Sequence, residues 1–152
     1  MKVVVAFDHR GVHLRDRVLG TLRDGGHDVV DLGTDTDERR IDYPDKAREL
    51  GEALQRGDAE RGVLVCGSGV GAAVAASKMR GIRAAICHDT YSAHQGVEHD
   101  DMNVICLGSE VVGPSLADEL VRAFLAASFE GGERYVERLR KVEAMERQMS
   151  DA

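Results

Sequence analysis

Five apolar runs of strand length punctuate the chain: KVVVAF (2–7), HDVVDL (27–32), GVLVCG (62–67), IRAAIC (82–87) and NVICLG (103–108). Several are apolar throughout rather than alternating, as expected of strands covered on both faces. Between them the apolar positions return at helical spacing. The first such segment carries Val12, Val18, Leu19 and Leu22 and stops at Gly25 and Gly26, a pair suited to a left-handed C-terminal cap. The second opens at Pro44, favoured in a first helical turn, and runs through Ala47, Leu50 and Leu54. GAAVAASKM supplies a third helix, TYSAHQGVEH a fourth, and a fifth starts at Pro114. Strict alternation of strand and helix predicts an α/β fold with a five-stranded parallel sheet, flavodoxin-like (Rossmann-type) in its order 2-1-3-4-5, and helices on both faces.

After SFEGG, the segment ERYVERLRKVEAMERQM repeats apolar residues at 136, 139, 142, 145 and 149, a narrow stripe near heptad spacing. This extra C-terminal helix, within 131–149, falls outside the alternation and packs either on its own domain or on a partner subunit. Residues 1–152 together are about the length of one domain, so a single core is expected.

Composition narrows the function. Twenty basic against twenty-seven acidic residues give a net charge of -7, with the basic ones dispersed, so the chain offers neither a nucleic-acid stripe nor a membrane-binding patch. No window approaches the apolar length of a membrane span, and MKVVVAF runs into a charged turn without a signal-peptide pattern, which predicts a cytoplasmic protein. Cys66, Cys87 and Cys106 are odd in number, lack CxxC spacing and sit in apolar runs, as reduced thiols do.

In a doubly wound sheet, ligands bind beyond the carboxyl ends of the strands where the strand order reverses, here between the first and third strands. That rule selects DHRG (8–11) and CGSGVG (66–71), with His88, Asp89 and GSE (108–110) farther along. Gly67, Gly69 and Ala72 fit the loose GxGxx(G/A) dinucleotide pattern, but the loop follows the third strand rather than the first, and Lys78 is too deep in the helix for a P-loop. What remains is a strand, a run of outward N–H groups over Gly67, Ser68, Gly69, Val70 and Gly71, and a helix start: an anion-binding arrangement. Cys66 directly precedes it, where the thiolate form is stabilised, so this thiol is a candidate base or nucleophile. Cys87 and Cys106 read as small hydrophobes.

His88, His94 and His99 lie close in sequence with Asp89, Asp100 and Asp101 among them, but their spacing matches no familiar ligand set and a helix scatters them, so no metal site is assigned. His9 follows the first strand at the predicted ligand position. Arg134 and Arg138 are four apart and share a helix face suited to gripping a phosphate, or to ion pairs with Glu137 and its neighbours.

The motifs FDHRG, DYPDKA, VLVCGSGVGAAVAASKMRGIRAAICHDTYSA, EHDDMNVICLGS, VVGP and EGGERYVERL occur in this order over nearly the whole chain. Together they resemble the ribose-5-phosphate isomerase B family, which includes galactose-6-phosphate isomerase subunits. The resemblance implies a cofactor-free aldose–ketose isomerase acting on a small sugar phosphate, built as a homodimer or homotetramer with active sites shared between subunits. By the same resemblance, Cys66 is the base that moves a proton between C2 and C1, and the backbone of 67–71 with Ser68 stabilises the enediolate. His99 helps to open the sugar ring. Asp8, His9 and Tyr43 line the substrate, while Arg134 and Arg138 reach the phosphate of a neighbouring subunit's site. Two positions depart from the usual pattern: Glu110 stands where many members carry a phosphate-directed arginine, and Asp100 where asparagine is usual. A carboxylate beside a phosphate is costly, so Glu110 is expected to turn away or to pair with an arginine. Both changes bear on the choice of substrate, with a tetrose or hexose phosphate as alternatives to ribose 5-phosphate and a non-catalytic sugar-phosphate or nucleotide binding module as the rival class.

Overall fold

A computed structural model describes residues 1–152. The elements are β1 (Lys2–Phe7), a 3-10 turn (Gly11–Leu14), α1 (Arg15–Asp24), β2 (Asp28–Asp31), α2 (Tyr43–Gln55), β3 (Arg61–Cys66), α3 (Val70–Ala76), β4 (Ala84–Ile86), α4 (Thr90–Asp100), β5 (Val104–Gly108), α5 (Pro114–Ala126) and α6 (Glu133–Asp151). All five strands pair in parallel. The helix starts follow the expected local rules, with a proline in the first turns of α2 and α5 and an Asp89 carboxylate that caps α4 by accepting from the Ser92 N–H at 2.7 Å.

The strand order is β2-β1-β3-β5-β4, so the expected 2-1-3-4-5 is corrected at its last two positions. Burial explains the exchange. β5 is covered on both faces along its whole length, as an interior strand must be, whereas β4 is three partly exposed residues that suit an edge. The register places Cys66 opposite Gly108 and Leu64 opposite Cys106.

The exchange also moves a helix. The connection from β4 back to β5 reverses direction along the sheet, and right-handed crossovers then send α4 to the opposite face from α3. Accordingly Ala47 and Leu50 of α2 pack with Ala72 and Ala76 of α3 on one face. Val18 and Leu22 of α1, Val97 of α4 and Leu120 and Phe124 of α5 form the larger cluster on the other. Phe7, Leu50, Leu64 and Phe124 are fully buried, each worth about 1.5–3 kcal/mol relative to an exposed side chain.

The loops leaving β1 and β5 therefore flank the loop leaving β3 and turn to the face opposite it. α6 stands apart: none of its residues is buried, and Val142, Met145 and Met149 of its apolar stripe are exposed. A cavity of about 740 Å³ lies between this stripe and the β4 edge, lined by Ile82, Ile86, Met102, Leu139, Val142 and Met145 among others.

Candidate active site

At the carboxyl edge of the sheet, the 8–11 turn is fixed by its own acid. Asp8 is buried, and its Oδ1 accepts from the N–H groups of Arg10 (2.9 Å) and Gly11 (2.7 Å). One of its two carboxylate oxygens is thus committed to the turn before any substrate arrives. His9 is partly buried, and its Nδ1 lies 3.1 Å from both the N–H and the carbonyl oxygen of Ile41, which orients the ring and leaves Nε2 without a partner in the chain. Tyr43 opens α2 and lays its half-exposed ring on the glycine loop: a Cβ at Gly71 would come within 2.6 Å of the Tyr43 Cζ.

The loop of residues 67–69 joins β3 to α3. Cys66 is buried at the end of its strand, and the Gly69 N–H donates to its Sγ at 3.1 Å, a bond that a thiolate accepts more strongly than a thiol. Gly69 takes a φ of 81°, which folds the loop back over the sulfur. The Ser68 Oγ accepts from Val70 N–H at 3.2 Å, while the N–H groups of Gly67, Ser68 and Gly71 donate to nothing within the chain. Three free donors beside a thiol suit a developing oxyanion. α3 is only seven residues long, so these individual donors, more than an extended helix dipole, give the loop its polarity.

Three residues in segments that the switch-point rule selects, but to which the sequence gives no individual role, complete this edge. The His88 Nε2 accepts from Gly108 N–H at 3.0 Å, which fixes the ring as its Nδ1–H form, and burial lowers its pKa against the opposing pull of Asp89. Ser109 Oγ donates to the Arg10 carbonyl at 2.8 Å. The Arg10 guanidinium crosses the loop, since a Cβ at Gly67 would lie 2.3 Å from its Cζ, and it meets Glu110 at 3.8 Å. The expectation that Glu110 pairs with an arginine is met within the chain. The available signal was the missing side chain at Gly67, which makes room for the one arginine in DHRG.

His99 is not part of this group. It lies on the last turn of α4, which starts just beyond β4 and runs back about 14 Å toward the amino ends of the strands before reaching it. There the His99 ring stacks on Tyr135 of α6, with centroids 4.5 Å apart, while its Nδ1 meets Gln95 Nε2 at 2.8 Å. Arg138 sits over the other partner of that stack, its Cζ 4.9 Å from the Tyr135 centroid. Glu137 pairs with Lys141 at 3.6 Å and leaves Arg134 and Arg138 without an ion-pair partner in the chain. Exposed Asp100 lines the neighbouring cavity with Arg138. Glu98, His99 and Glu130 bring ligand atoms within 4.8 Å of one another, and these are the residues with donors suited to a cation. The sequence-assigned residues thus divide into two groups: Asp8, His9, Tyr43 and Cys66 through Gly71 at the carboxyl edge, and His99, Asp100, Arg134 and Arg138 at the α4–α6 junction.

The other two thiols are inert by environment. Burial pushes Cys87 up to about 11 and raises Cys106 further, so neither is a thiolate near neutrality.

The carboxyl edge of the parallel sheet thus carries a buried thiol beside a glycine-rich loop with free N–H donors. The family described as Ribose/Galactose Isomerase matches residues 3–142, and the chain belongs to that family. Ribose-5-phosphate isomerase B of Escherichia coli is 41% identical to it, over 95% of this chain and 96% of that protein. D-erythrulose-4-phosphate isomerase of Pectobacterium atrosepticum is 39% identical over 87% of both. Among solved structures, ribose-5-phosphate isomerase B of Clostridium thermocellum superposes with a TM-score of 0.94 at 39% identity, covering 98% of this chain and 99% of the other. No helix is long and apolar enough to cross a membrane.

Proposed function

We propose that the protein is an aldose–ketose isomerase that interconverts D-ribose 5-phosphate and D-ribulose 5-phosphate through a cis-enediolate. The observation that carries this reading is Cys66 Sγ held by the Gly69 N–H, beside three N–H groups with no acceptor in the chain. The Cys66 thiolate takes the C2 proton of the open-chain aldose, and the electron pair passes to the carbonyl oxygen, where the loop donors stabilise the charge. Return of the proton to C1, with transfer of the C2 hydroxyl proton to the C1 oxygen, gives the ketose. Removing one such donor costs other enzymes about 3–4 kcal/mol of transition-state stabilisation, and a positioned base contributes roughly 10²- to 10⁴-fold.

His99, Arg134 and Arg138 serve this reaction from a partner subunit. About 14 Å of helix separates His99 from the sheet edge that bears Cys66, so one chain supplies two complementary halves rather than a whole site. An oligomer in which the α4–α6 junction of one subunit meets the carboxyl edge of the next joins them, with His99 opening the furanose ring and the two unpaired arginines meeting the phosphate. The exposed stripe of α6 packs on the partner in the same assembly.

A tetrose 4-phosphate is the second reading. The similarity to D-erythrulose-4-phosphate isomerase and the acidic Glu110 at the loop both favour considering it. Comparing kcat/KM for ribose 5-phosphate, erythrose 4-phosphate and a hexose 6-phosphate tests the assignment. A preference of tenfold or more for the pentose supports it, a preference for the tetrose moves the substrate to the second reading, and no turnover of any of the three overturns the isomerase assignment.

A further inference from the structure

The corrected strand order places β1 and β5 on either side of β3, and the side chains that follow those two strands meet across the loop between them. Both ends of this bridge are held at the backbone. The N–H of Arg10 is bound by Asp8 Oδ1 at 2.9 Å and its carbonyl by Ser109 Oγ at 2.8 Å, while the N–H of Glu110 is bound by the Gly67 carbonyl at 2.9 Å. The guanidinium spans Gly67, where any side chain would collide with it, and ends 3.8 Å from the carboxylate. Each side chain remains about half exposed, at 53%. A pair so placed is readily exchanged, because an exposed ion pair is worth little and a stronger, bidentate anion competes for the same fork of donors.

We propose that Arg10 is a substrate-binding residue, and that Glu110 is its positioning residue: it holds the guanidinium across the glycine loop in the empty site and surrenders it to the phosphate group of the substrate. The proposal rests on the sugar-phosphate reading of the site. The pairing lessens the repulsion that an approaching anion meets at this edge, since the carboxylate is neutralised until the anion takes its place. The exchange makes Glu110 a competitor of the phosphate, so the two residues act on affinity with opposite signs. No simple structural role for the pair produces that pattern, since breaking a stabilising bridge from either end weakens the site.

The test titrates the purified protein with inorganic phosphate at constant ionic strength and follows binding by calorimetry, with circular dichroism to verify that each variant is folded. Arg10→Ala weakens phosphate binding about tenfold or more, and Arg10→Lys recovers part of the loss. Glu110→Gln tightens binding about two- to fivefold. In the Arg10→Ala background, Glu110→Gln no longer produces that gain in full, so the two changes are coupled. Unchanged phosphate affinity in folded Arg10→Ala overturns the proposal, as does weaker binding in Glu110→Gln. Because the probe is phosphate alone, these outcomes stand whether or not ribose 5-phosphate proves to be the sugar turned over, which the kcat/KM comparison decides separately.

Discussion

Cys66 and His99 lie at opposite ends of the sheet in one chain: the first closes β3, and the second ends a helix that starts beyond β4 and runs back past the strands. In the proposed reaction, where both act on one sugar, that separation calls for two subunits. Coexpression of Cys66→Ala with His99→Asn tests this. Random pairing into dimers makes half of them mixed, each with one intact site, and recovers about a quarter of wild-type activity from two inactive parents. Activity no greater than that of the parents contradicts the shared site.

Removal of the thiol is expected to leave the fold untouched. Cys66→Ala deletes one small buried group, so its melting temperature shifts by a few degrees at most while isomerisation falls by about 10²-fold or more. Retention of sugar-phosphate binding, measured by calorimetry, separates loss of the base from loss of the site. Normal turnover in this variant removes Cys66 from the mechanism.

Arg134 and Arg138 of α6 have no ion-pair partner in the chain that competes for them. Arg134→Ala is expected to raise KM by about tenfold with a smaller fall in kcat, the signature of lost binding shared by ground and transition states. Steady-state kinetics in which KM is unaltered excludes Arg134 from the phosphate site.

His88 gives the fold an acid-sensitive contact beside the site. Burial holds its folded pKa below the ordinary histidine value, so the unfolded chain takes up the proton first as pH falls below about 6.5. Stability is therefore present above that pH and is lost as pH falls toward the folded pKa, where protonated Nε2 can no longer accept from Gly108. Denaturant midpoints measured from pH 7.5 to 5 are expected to fall more steeply for the wild type than for His88→Gln. Parallel profiles rule His88 out as the source.

How much of this is legible in the sequence depends on the range of the interaction. The elements, the first switch point and the Cys66 loop follow from apolar runs, glycines and prolines, all of which act locally. The neighbours of β5 do not, because IRAAIC looks like a full strand, and only tertiary burial reveals that residues 84–86 alone pair, at an edge. The switch-point rule selects the segments that hold Arg10 and His88, but their roles escape the sequence for the same reason. Each is defined by a contact across the sheet, to Glu110 in one case and to Gly108 in the other. The heptad-like stripe of α6 is clear in the sequence, yet its exposure shows that the isolated chain does not satisfy it.

The most direct test of the central claim is proton NMR of D-ribose 5-phosphate in D₂O with wild-type protein and with Cys66→Ala. Ribulose 5-phosphate formation by the wild type is expected at about 1 s⁻¹ or faster, with deuterium entering from solvent as the thiol exchanges its proton, and both ketose formation and exchange are expected to be slower by about 10²-fold or more in the variant. Ketose formation at equal rates by both proteins contradicts that claim.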